Sequence, residues 1–260
     1  MSDRVALITG GGTGIGAEIA RQLSGKGYRV AVNGRRLGPI EEVAREVGGI
    51  AVQGDGGVPA DAERIVAETV TTLGGLDVVV LNAGISRSGS ITGQTPESFD
   101  AVLQANVVGA FLVARAAMPH LLERRGNVVA VASQAGLQAG PNSAAYCVSK
   151  AAMIMLVKTI ALDYGPRGVR ANAVCPAWVR TPMGDASMDE LASVRGGTRE
   201  EAYAFANRLV PARRPATIAE AAAGVVWLAS PEASYVNGTA LPIDGGGSIV
   251  DVGLAWEVDG

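Results

Sequence analysis

The sequence predicts an α/β fold, one doubly wound parallel sheet of about seven strands with helices on both faces. Three observations predict it. Short β-branched runs alternate with helical stretches along the chain. The runs are continuously apolar rather than alternating, as parallel strands covered on both sides require. No linker-like segment breaks the rhythm, so residues 1–260 read as one domain.

The elements follow in order. Val5–Thr9 is the first strand, with only Met1–Arg4 ahead of it, and a glycine-rich turn leads into a helical pattern over Gly14–Ser24. Arg29–Asn33 and Ile50–Gln53 are strands, each followed by a helical stretch, Ile40–Val47 and Ala60–Leu73. Asp77–Leu81 precedes a long apolar helical pattern, Pro96–Glu123, and Asn127–Ala132 precedes another, Ser143–Tyr164. After the strand Val169–Val174 comes the one stretch outside the rhythm, Thr181–Pro215, read as irregular segments with one or two short helices. Long insertions near the carboxyl edge of such a sheet are often lids. A helix over Thr217–Ala229 and a strand over Thr239–Ile243 complete the pattern.

Composition removes several function classes. A net charge of −3 without a lysine-rich run argues against nucleic acid or an anionic membrane as partner. The most apolar helical run, Ala151–Leu162, is broken by Lys158 and is short for a bilayer. His120 is the only histidine and reads as a packed helix residue, so histidine-based zinc sites and Ser-His-Asp hydrolysis lose their material. Cys147 and Cys175 have no metal-like spacing, and two reduced thiols without a leader segment point to the cytoplasm. Glycine stands out, 35 of 260 residues or about 13% against a usual share near 7%.

Many of these glycines fall where backbone must approach a ligand. Thr9-Gly10-Gly11-Gly12-Thr13-Gly14-Ile15-Gly16 lies between the first strand and the first helix. A glycine turn there brings N–H groups to a pyrophosphate at the helix N-terminus, the arrangement of a Rossmann-like dinucleotide site. About 20 residues further on, a NAD-preferring fold presents a carboxylate to the ribose. Here the second strand ends in Asn33-Gly34-Arg35-Arg36 instead. Arg35 offers a permanent, forked charge for a 2′-phosphate, with Arg36 beside it, so NADP(H) is expected over NAD(H). Tyr146 and Lys150 lie four apart on one helix face, where an ammonium favours the phenolate. Ser133 ends the fifth strand and Asn82-Ala83-Gly84 the fourth, both at the edge where such sheets bind ligands.

These residues together resemble the short-chain dehydrogenase/reductase family over essentially the whole chain. Thr9-Gly10-x-x-x-Gly14-x-Gly16 is similar to its cofactor fingerprint, and Asn82-Ala83-Gly84 to its strand-four motif. Ser133 and Tyr146-x-x-x-Lys150 match its active-site residues at a separation of thirteen, and Asn106 its fourth. Pro176-Ala177-Trp178-Val179-Arg180-Thr181 resembles its Pro-Gly segment, with Ala177 in place of glycine. Thr13 stands where many NADP-dependent members carry a basic residue.

The resemblance implies a hydride-transferring oxidoreductase. Tyr146 is expected to exchange the proton, Ser133 to hold the substrate oxygen, Lys150 to grip the nicotinamide ribose and acidify Tyr146, and Asn106 to order a water. Asp55 and Gly56 should meet the adenine, Asn82 to Gly84 the ribose, and Pro176, Val179 and Thr181 the nicotinamide. Gln134, Trp178 and Met183 are candidate substrate contacts, with Leu137, Gln138, Met188, Leu191, Tyr203 and Phe205 further out. Their apolar character suggests a medium-sized hydrophobic ketone or secondary alcohol. Two other functions stay open. One is a 3-oxoacyl thioester reductase using Arg124, Arg125 and Arg167 as a carrier-protein patch; the other is a non-catalytic NADP sensor. The apolar circumference of the two long helices predicts a homo-oligomer, a tetramer as in similar proteins. The tail Gly247–Gly260, with Val250, Leu254 and Trp256, is expected at a subunit contact or over the pocket.

Overall fold

The computed structural model describes residues 4–251. Seven parallel strands form one sheet in the order β3-β2-β1-β4-β5-β6-β7: β1 Val5–Ile8, β2 Arg29–Gly34, β3 Ile50–Gln53, β4 Val78–Leu81, β5 Asn127–Val131, β6 Arg170–Pro176 and β7 Ala240–Ile243. Each lies within about two residues of the expected run. The chain winds outward from β1 in both directions, so the order reverses between β1 and β4. That reversal opens a crevice at the carboxyl ends of the strands.

Residues within one strand feed two cores, because successive side chains point to opposite faces. Val5 and Leu7 pack on one side, beneath α3 (Pro59–Leu73), α5 (Gly109–Arg124) and α6 (Ala144–Tyr164). Ala6 and Ile8 pack on the other, beneath α1 (Gly14–Gly25), α2 (Leu37–Glu46) and α9 (Ile218–Ala229). The α6 helix is longer than its Ala151–Leu162 core, and its inner residues Met153, Val157 and Ile160 pack against the sheet.

Three differences from the sequence reading matter. The long pattern Pro96–Glu123 is not one regular helix. α4 (Pro96–Leu103) passes through a π-helical turn at Gln104–Val108 into α5. The segment 181–215 is more ordered than expected, with a 14-residue helix α7 (Pro182–Arg195) and α8 (Arg199–Ala206). These two share a small core of their own, Met188, Ala192, Ala202 and Tyr203, so Met188 and Tyr203 are lid packing and not pocket wall. Leu254 and Trp256 lie outside the described residues.

Candidate active site

The crevice is a cleft of about 400 Å³. It is lined from the glycine turn by Gly10, Thr13, Gly14 and Ile15, and from the end of β2 by Arg35 and Arg36. Asp55 and Gly56 line it after β3, and Asn82, Ala83 and Gly84 after β4. Ser133, Tyr146, Lys150, Pro176, Val179, Thr181 and Met183 line its other half. Sequence reasoning assigned all of these to the site, and the fold brings them together.

The glycine turn is built for close approach. Gly10 has φ +62° and a side chain there would meet the Ala83 backbone at 2.8 Å. At Gly14, with φ +56°, a Cβ would come within 3.6 Å of the Thr181 side chain. Gly16 does not line the cleft; it allows α1 to pack on the Gly10 carbonyl and Asn82. Thr9, buried beneath the turn, was read as the first residue of the cofactor fingerprint but given no role of its own. Its hydroxyl donates to the Val80 carbonyl and accepts from the Asn82 and Ala83 amides, tying β1 to β4. Asn82 donates to the Thr9 and Gly10 carbonyls at 3.0 Å, so its amide clamps the turn instead of reaching into the ribose side. The Thr13 side chain caps none of the first N–H groups of α1. A turn without side chains, ending in uncapped amides, fits a pyrophosphate.

At the adenine end, Arg35 is exposed and its guanidinium lies 3.7 Å from the Asp55 carboxylate. Asp55 also accepts from the Gly57 amide at 2.9 Å, so its carboxylate is already turned toward protein partners. No carboxylate stands at the end of β2. The residues present fit a nicotinamide dinucleotide.

In the other half, the Ser133 hydroxyl accepts from the Ala135 amide at 3.1 Å and donates to the Pro176 carbonyl at 3.5 Å, with Tyr146 lining the same cleft. Lys150 is buried; its Nζ donates to the Val131 carbonyl at 2.8 Å and sits 5.6 Å from the Tyr146 ring centre. The expected acidification of Tyr146 by Lys150 is not what the structure shows. Burial raises the phenol above its ordinary value near ~10, and the Ser133 hydrogen bond only partly opposes this. Burial also pulls the Lys150 ammonium down to about 8. Desolvation is the largest influence on both groups.

Asn106 lies on the π-turn, fully buried behind Gly84. Its Oδ1 accepts from the Ile85 amide at 2.8 Å, and its Nδ2 donates to the Ile85 carbonyl and to Ser149 Oγ. Every polar atom of the side chain thus holds protein. Ser149, fully buried and not singled out by sequence, donates on to the Tyr146 carbonyl at 2.8 Å. The Ser-Lys pair of the Tyr-x-x-x-Lys segment was the available signal. Trp178 and Gln134 stand outside the cleft lining; Gln134 instead donates to Gln138 at 3.4 Å. Among the three further substrate candidates beyond Ser133 and Tyr146, only Met183 reaches the cleft.

Residues 10–248 match the short-chain dehydrogenase family described as enoyl-(acyl carrier protein) reductase. This chain belongs to the short-chain dehydrogenase/reductase family. Protein MoaE of Klebsiella aerogenes is 42% identical over 253 residues, spanning 96% of this chain and 97% of its own. The 2-(R)-hydroxypropyl-CoM dehydrogenase of Xanthobacter autotrophicus is 37% identical over 254 residues, spanning 93% and 97%. The crystal structure of levodione reductase matches at a TM-score of 0.92 with 31% identity, over 96% of this chain and 100% of that one. The protein is therefore a short-chain dehydrogenase/reductase, an NAD(P)(H)-linked oxidoreductase acting between alcohols and ketones.

Proposed function

We propose that this short-chain dehydrogenase/reductase uses NADP(H) and interconverts a medium-sized, mainly hydrophobic ketone and its secondary alcohol, with Tyr146 as general acid/base. The observation that carries this is the meeting of Ser133, Tyr146 and Lys150 in one cleft with the glycine turn. The nicotinamide, when bound, supplies or accepts the hydride. The chain's own residues do the rest. Ser133 positions the substrate oxygen by its hydroxyl. Tyr146, whose pKa burial raises, is protonated at neutral pH and serves as the acid when a ketone is reduced. Lys150 lines the same cleft and would hold the nicotinamide ribose. Val179 and Thr181, on the segment entering α7, would hold the carboxamide side, and Met183 and Ile85 give the substrate apolar walls.

The preference for NADP(H) is supported by Arg35 and Arg36 at the cleft and by the missing carboxylate after β2. Tyr146 and Lys150 both being present favours catalysis over a sensing role. The carrier-protein reading gains no support from its arginines. Arg124, Arg125 and Arg167 precede β5 and β6, at the amino edge of the sheet, across the molecule from the cleft; Arg124 there faces Asp77 at 3.9 Å. We further propose a cytoplasmic homotetramer. Exposed Val108 and Phe111 on the outer side of the π-turn and α5, with Val148, Met155 and Leu162 on α6, support the assembly. The free thiols of Cys147 and Cys175 support the compartment.

The test is turnover of a panel of ketones and secondary alcohols by the purified protein with NADPH, NADP, NADH and NAD. Activity on the panel with NADP(H) preferred supports the reading; preference for NAD(H), or silence toward all, refutes it.

A further inference from the structure

The helix that carries Tyr146 begins without a cap of its own. Tyr146 is the third residue of α6, in the first turn, where backbone N–H groups have no intrahelical partner. Ser143 stands at the capping position and would ordinarily supply the acceptor. It does not. Its backbone departs from the extended geometry of a capping residue, with φ −137° and ψ 29°, and its hydroxyl donates to the Pro141 carbonyl at 3.0 Å. The acceptor comes instead from Gln94, whose Oε1 takes the Ala145 amide at 3.1 Å, one residue before Tyr146.

Gln94 is itself held for this purpose. Its Nε2 donates to the Arg87 carbonyl at 3.3 Å and its own amide donates to the Ser90 carbonyl at 3.0 Å. The loop that bears it, which leads out of β4 past Gly84, is pinned to the same helix start by Gly89. The Gly89 amide donates to the Asn142 carbonyl at 2.8 Å, and Gly89 forms a parallel bridge with Ser143. Asn142 holds a left-handed φ of +51°, so the chain makes a sharp turn into α6 at this point of contact. Gly89 has no room for a side chain, since a Cβ would lie 2.9 Å from Gln94 Cβ. Two loops thus meet at the first turn of the catalytic helix, and Gln94 closes the joint.

We infer that Gln94 is a positioning residue for the reaction: it caps α6 from the β4 loop and thereby fixes Tyr146 against Ser133. The inference rests on Tyr146 being the acid/base. Gln94 is absent from the cleft lining, so it acts through the helix and not on the substrate. Misplacing a reacting group by about 1 Å can cost on the order of 100-fold in rate.

The experiment compares Gln94→Met, which keeps the bulk and removes the acceptor, with Gln94→Glu, which keeps the acceptor. Steady-state turnover and cofactor titration are measured on the full chain. Gln94→Met should lower kcat roughly 10- to 100-fold with the cofactor Kd unchanged. Gln94→Glu should return to within about threefold of wild type, since an anion also suits a helix N-terminus. Arg29→Ala removes a hydrogen bond to the Leu73 carbonyl at the amino edge of the sheet, opposite the cleft; it should lower Tm and leave kcat alone. If Gln94→Met does not fold, Gly89→Ala carries the same test by pushing Gln94 aside. The inference is overturned by a Gln94→Met that keeps kcat within twofold, by a Gln94→Glu as slow as Gln94→Met, or by an Arg29→Ala that loses kcat in step with Tm. Tyr146→Phe is assayed alongside. An active Tyr146→Phe overturns both readings; an inactive one beside an unaffected Gln94→Met overturns the positioning role alone.

Discussion

Arg35 carries the proposed cofactor preference at the adenine end of the cleft. Nothing acidic stands at the end of β2, and the exposed guanidinium lies 3.7 Å from the Asp55 carboxylate. A hydrogen bond to a charged group is worth about 1.5–3 kcal/mol, or roughly 10- to 100-fold in affinity. Arg35→Ala should therefore raise the KM for NADPH by about that factor and leave the KM for NADH nearly unchanged. Equal effects on both cofactors would show that Arg35 does not read the 2′-phosphate. At this scale the sequence was informative about which residues gather and silent about what holds them. Ser133, Tyr146, Lys150 and the glycines are legible because their chemistry is tied to their spacing. Thr9, Ser149 and Gln94 are not, because a buried hydroxyl or amide is indistinguishable in sequence from an exposed one until its partner is known. The same holds for Asn106, whose partners Ile85 and Ser149 lie 21 and 43 residues away.

Among the elements, the strands were the most legible, since a run of buried β-branched residues has few other uses. The π-turn at Gln104–Val108 was not, for its cause is tertiary: the turn carries Asn106 to Ile85 and Ser149 within an otherwise unbroken apolar pattern. The lid helices left signals that went unused. Thr181 caps α7 ahead of Pro182, and Thr198 with Glu201 forms a capping box for α8. α9 has the same device, reinforced by charge. Glu220 accepts from the Thr217 amide at 2.8 Å and meets Arg214 in a two-pronged pair at 2.6 and 2.8 Å, which holds its carboxyl down to about 2. A depressed carboxyl stabilises the fold above its unfolded pKa and loses that contribution as pH falls through the folded one. Glu220→Gln should therefore lower Tm at pH 7, and the gap to wild type should close between pH ~4.5 and about 2. A gap that persists unchanged at pH 2 would assign the effect to shape and not charge.

For the whole molecule, the apolar residues that the two cores leave over face outward on α5 and α6. Phe111 is 48% exposed, Met155 60% and Leu162 79%. Such a surface on two neighbouring long helices supports the proposed assembly. Light scattering should give a mass near four times the 26.4 kDa chain, and Phe111→Glu with Met155→Glu should reduce it. A single-chain mass for the wild type at micromolar concentration would contradict the assembly. Several contacts join the lid to the body, the Arg214–Glu220 pair among them. Ser88 on the β4 loop donates to Glu190 on α7 at 2.8 Å, and Arg180 pairs with Glu200 on α8 while stacking on Tyr203. The cleft is thus bounded by the β4 loop on one side and α7 on the other, with Tyr146 between them.

The central claim is that the Tyr146 phenol moves the proton at this cleft, and Tyr146→Phe tests it most directly. The substitution removes one hydroxyl from a site otherwise held by Ser133, Lys150 and the glycine turn. Turnover of the best ketone with NADPH should fall by on the order of 100- to 10,000-fold, while the NADPH Kd from direct titration stays within a few-fold of wild type. Turnover at the wild-type rate with the cofactor bound would contradict the account.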